Sequence, residues 1–106
     1  MLLDRKRALA ELGIPEEMYN ELLQDFVAET ESALHNLFEA IQSGNREEIA
    51  SSAHFIKGSS GNLRIDDLYV LAKEIEFDAR TNKDTAVMAQ NASKLKASFE
   101  ELKKII

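Results

Sequence analysis

Residues 15–43 read PEEMYNELLQDFVAETESALHNLFEAIQS. Their apolar side chains, Tyr19, Leu22, Leu23, Phe26, Val27, Ala33, Leu34, Leu37, Phe38 and Ile41, recur at spacings of three and four. That period gathers them on one stripe of a helix, whereas a strand would alternate at every second position. Pro15 suits the first turn of such a helix, and Glu16 and Glu17 lie favourably against its positive end. Gly44-Asn45 closes it. A long amphipathic helix of this kind places the chain in the all-α class.

The flanking sequence repeats the pattern. Residues 2–12 carry Leu2, Leu9 and Leu12 among charges, a short helix ended by Gly13. A helix is predicted over 46–61 and, after a turn near Asn62 to Asp66, another over 66–80 with Leu68, Leu71, Ala72, Ile75 and Ala79 inward. Thr81-Asn82-Lys83-Asp84 is a polar loop, with Asp84 placed to cap the final helix. That helix, 85–105, puts Met88, Ala92, Leu95, Phe99, Leu102 and Ile106 on one stripe. The expected fold is an antiparallel up-down four-helix bundle with a short additional N-terminal helix as a lid, in one domain over 1–106. There is no strand pattern, internal repeat or low-complexity tract.

Composition narrows the function. The 106 residues include no cysteine, so neither a disulfide framework nor thiolate chemistry is available. The net charge is −6 and the basic residues form no long cluster, which argues against nucleic acid as a partner. No apolar run approaches the roughly 20 residues of a membrane span. The opening Met-Leu-Leu-Asp-Arg-Lys is too polar for a signal peptide. A cytoplasmic protein is expected. His35 has Glu31 and Glu39 at helical spacing, but no metal site is expected from them.

The chemistry concentrates in residues 53–63, Ala-His-Phe-Ile-Lys-Gly-Ser-Ser-Gly-Asn-Leu. Wound as a helix, Ile49, Ala53, Ile56, Ser60 and Leu63 face the core. His54, Lys57, Gly58 and Gly61 fall roughly opposite, toward solvent. Phe55 lies between the two faces, so partial exposure is expected. Glycine in an exposed helix costs about 1 kcal/mol relative to alanine. Two of them beside a histidine and a lysine suggest a close approach to the backbone. A phosphoryl group on the histidine would need both that room and the nearby cation.

His54-x-x-Lys57-Gly58-x-Ser60, continued by Gly61-Asn62-Leu63, resembles the signature of the histidine-containing phosphotransfer (HPt) domain of phosphorelays. The resemblance implies that His54 is the phosphoacceptor, that Lys57 screens the phosphoryl charge and that Gly58 gives a partner clearance. Glu76 lies as far beyond residue 65 as His54 lies before it, so a helical hairpin centred there sets the two at equal height. Glu76 can then orient the imidazole by accepting from Nδ1, leaving Nε2 free. In the family this position often holds a glutamine or glutamate. The family commonly has a glycine where Arg64 stands, so the turn is expected to place Asn62 in the left-handed region instead. The implied partners are response-regulator receiver domains, with a sensor histidine kinase as a further one. The chain has no nucleotide loop of its own, so it is a carrier with no ATP site, needing no cofactor, with Mg²⁺ brought by the receiver. The alternatives are the phosphoacceptor domain of a chemotaxis-type histidine kinase and a non-catalytic helical adaptor.

Overall fold

The computed structural model describes residues 3–106. Among the described residues five helices occur in order: α1 (Arg5–Leu12), α2 (Glu16–Ser43), α3 (Arg46–Asn62), α4 (Asp66–Arg80) and α5 (Thr85–Ile105). Among the described residues there is no strand. The Leu2 assigned to the first helix lies outside the described residues. Three helix starts use a side-chain oxygen on a free backbone N–H: Asp4 accepts from Arg7, Asn45 from Glu48 and Asp84 from Ala86. Pro15 stands just before α2 with extended backbone, and Glu16 and Glu17 occupy its first turn.

Helix α2 packs against α3 and α5, and α4 packs against the same two. The buried residues of α2 are Tyr19, Leu23, Phe26, Thr30, Ala33, Leu34, Leu37 and Ala40, one stripe as the period demands. Phe26 meets Phe99 of α5 edge to face at 6.4 Å. Two expected core positions are not core. Leu22 is 40 % exposed because a surface depression opens between it and Ser59 and Asn62 of α3. Ile106 is also exposed, at 39 %, because it comes after the last helical residue of α5, at the rim of a depression.

Helix α1 lies near the turn between α3 and α4. It buries Ala8, and polar contacts tie it down: Arg7 to Asp66 at 2.9 Å, and Glu11 to Arg64 at 2.8 Å. The buried Tyr19 hydroxyl donates to the Leu63 carbonyl at 2.6 Å, which joins α2 to the same turn.

That turn departs from expectation. Asn62 is the last residue of α3, and the left-handed residue is Arg64, with φ 63°. The backbone forms a Schellman closure, Ile65 N–H to Ser60 carbonyl at 2.9 Å and Arg64 N–H to Gly61 carbonyl at 3.2 Å. The same closure ends α2, with Gly44 at φ 73°. At Arg64 the cost of a side chain at positive φ is offset by the guanidinium. Its Nη1 donates to the Gly61 carbonyl at 3.0 Å and the Asn62 carbonyl at 3.3 Å, which caps the end of α3.

Candidate functional site

Two helices build the site. The α3–α4 contacts run in opposite chain directions about residue 65: His54 against Glu76, and Gly61 beside Tyr69. Both pairs are symmetric about that position, so the equal-height expectation for His54 and Glu76 holds. The His54 side chain is 63 % exposed, and its Nδ1 lies 3.0 Å from Oε2 of Glu76.

Glu76 is nearly buried, yet three groups converge on it. Lys57 Nζ lies 2.7 Å from Oε1, and Arg80 donates to Oε2 through Nε at 3.1 Å and Nη2 at 2.9 Å. His54 shares that second oxygen. Burial pushes the Glu76 carboxyl up, but the hydrogen bonds from Lys57, Arg80 and His54 outweigh it and hold its pKa down at about 2. The carboxylate is therefore ionised at neutral pH and can only accept. Nδ1 of His54 must carry the hydrogen between them. In the neutral ring the lone pair is then on Nε2, the nitrogen directed away from Glu76. Such a contact can hold the ring in one tautomer and one orientation, with the Nε2 lone pair on an exposed side chain.

Lys57 is less free than its place on the helix suggested. It is half-buried, and its ammonium is spent on Glu76 rather than standing alone in solvent. The reason is the neighbouring helix, which brings a carboxylate to the α4-facing edge of α3. The two glycines also separate. A Cβ added to Gly58 would meet nothing within 4 Å. A Cβ on Gly61 would lie 3.0 Å from Tyr69 Cδ1, so Gly61 does not face open solvent; it lets α4 approach α3. Ser60 is buried as expected and donates to the Ile56 carbonyl at 2.6 Å. Phe55 is 43 % exposed. His35 is exposed and pairs with Glu39 at 2.7 Å. Among the described residues no group of three His, Asp or Glu is placed to hold a metal ion.

Arg80 is the site residue that the sequence reading missed. Its signal was present, since it lies one helical turn beyond Glu76, the favourable order for an acid–base pair on a helix. What gave the pair meaning was the burial of Glu76, which only packing against α3 supplies.

Two comparisons with known proteins find matches. The Hpt domain model matches residues 21–105. The crystal structure of histidine-containing phosphotransfer protein B (HptB) from Pseudomonas aeruginosa PAO1 superposes with a TM-score of 0.84 at 25 % identity, covering 98 % of this chain and 90 % of that one. A search of curated proteins returns no match. No described helix is long and apolar enough to cross a membrane. With the family model spanning most of the chain, including both helices that build the histidine site, the protein belongs to the histidine-containing phosphotransfer (Hpt) domain family.

Proposed function

We propose that this protein is a phosphorelay intermediate whose phosphoacceptor is His54. Nε2 attacks the phosphorus of an aspartyl phosphate on a receiver domain, the P–N bond forms, and the P–O bond breaks to release the aspartate carboxylate. The Nδ1 proton stays in the hydrogen bond to Glu76, whose negative charge offsets the positive charge the ring acquires. Transfer onward to a second receiver reverses these steps. Lys57 and Arg80 neutralise the site around the incoming dianion, and Gly58 leaves room for the partner's loop. The protein is a carrier: the receiver contributes Mg²⁺ and most of the electrostatic stabilisation. Such a carrier acts in the cytoplasm, as one Hpt-like domain over 1–106. The order of helix packing and the short loops support an antiparallel up-down four-helix bundle of α2–α5, with α1 as an added short helix.

The single observation that carries this reading is the His54–Glu76 contact, in which an ionised, nearly buried carboxylate sets the tautomer of an exposed imidazole. Glutamate in place of glutamine favours a second reading, the phosphoacceptor domain of a chemotaxis-type kinase. Incubation with phosphorylated receivers, and separately with ATP and a kinase ATP-binding domain, distinguishes the two. Label on the wild type should resist base and be lost in acid, as phosphohistidine is, and should vanish in His54→Gln. A labelled His54→Gln variant rules the assignment out, and the adaptor alternative takes up no label at all.

A further inference from the structure

Two unlike surfaces flank His54. On the α4 side, Lys57 and Arg64 line a depression together with Tyr69 and Asp66, and each of these charges is already paired, Lys57 with Glu76, Arg64 with Glu11 and Asp66 with Arg7. On the α2 side runs a trough made of three contiguous depressions. Leu22, Asp25, Phe26 and Glu29 line the first, of about 350 Å³. Glu29 continues into a second of similar size with Phe55 and Glu48, and Glu48 into a third with Glu39. From Leu22 to Ala40 the trough tracks α2 for about 27 Å at the helical rise per residue.

The trough combines exposed apolar groups with one sign of charge. Leu22 and Phe55 are 40 % and 43 % exposed, so apolar surface remains available to a partner. Asp25, Glu29 and Glu48 are exposed, and among the described residues none of them is in an ion pair. No lysine or arginine among the described residues lines any of the three depressions. Unpaired charges of one sign around an apolar centre steer a partner of opposite sign and oppose one of like sign.

We infer that this trough selects the partner, and that it takes a receiver helix whose apolar stripe is bordered by lysine and arginine. The inference rests on the phosphorelay reading and adds the chemistry of the partner to it. The receiver's aspartyl phosphate then faces His54 while its basic-bordered helix lies along the acidic side. A single orientation satisfies both.

The test uses the full chain and isolated receiver domains phosphorylated with acetyl phosphate. The receivers are sorted by whether the helices around the phosphorylated aspartate carry net basic or net acidic charge. Phosphoramidate, a small donor that needs no docking, checks His54 in every variant. At low ionic strength the basic set should transfer at least about tenfold faster than the acidic set, and the difference should shrink as salt is raised. Asp25→Lys/Glu29→Lys should slow the basic set and speed the acidic set, while circular dichroism confirms the helical fold. Equal rates for the two sets, or an order unchanged in the variant, overturn the trough assignment and leave His54 as phosphoacceptor. Labelling by phosphoramidate with transfer from neither set overturns the relay reading and this inference together.

Discussion

Glu76 is the residue on which the site turns, because its two oxygens hold Lys57, Arg80 and His54 at once. Its pKa falls from an ordinary 4.5 to about 2, so folding favours the ionised form. The linked stability, roughly 3 kcal/mol, is fully present above about pH 4.5 and is lost as pH falls toward 2. Glu76→Gln should therefore lower stability at neutral pH and flatten its decline between about pH 5 and about pH 2, as read from urea melts across that range. The glycines give a second prediction. Gly58→Ala has open space and should raise stability by up to about 1 kcal/mol. Gly61→Ala pushes against the Tyr69 ring and should gain less or lose, and combining it with Tyr69→Ala should remove the difference. Thermal midpoints of the four variants check this. From sequence the two glycines read alike, since both were placed by one helical wheel. Only the position of α4 tells them apart.

The hairpin of α3 and α4 sets the site, and Arg64 sets the hairpin. Asn62 was the better candidate for positive φ on intrinsic preference, and an asparagine does take that conformation after α4, at Asn82 with φ 62°. After α3 the choice belongs to packing. Leu63 and Ile65 are both buried, and placing Arg64 between them at positive φ turns both side chains inward. Arg64→Ala keeps the unfavourable backbone and loses the bonds to the Gly61 and Asn62 carbonyls and to Glu11. Arg64→Gly loses the same bonds but relieves the backbone. The glycine variant should be the more stable of the two by about 1 kcal/mol, measured by denaturant midpoint. The reverse order would mean that the turn is not strained at Arg64.

For the molecule as a whole, α1 is an accessory. It buries Ala8 and makes the Arg7–Asp66 and Glu11–Arg64 contacts, but the hydrogen bonds and ion pairs of His54 and Glu76 go to each other, to Lys57 and to Arg80, not to α1. Deleting residues 1–12 should destabilise the protein by about 2 kcal/mol while leaving phosphoramidate labelling of His54 intact. Loss of labelling in a folded truncation would show that α1 supports the site directly. By itself the sequence determined the helical class, the five helices and the outward place of His54, because a period of three to four in apolar residues has one geometric reading and the chain repeats it. The equal height of His54 and Glu76 came from counting along two helices and a short turn. Only tertiary structure decided that Lys57 and Arg80 close on Glu76, that Gly61 serves α4 rather than a partner, and that Leu22 borders an acidic trough. Each of these depends on how far one helix is rotated against its neighbour. That rotation comes from the interlocking of side chains across the interface, which no single helix's pattern contains.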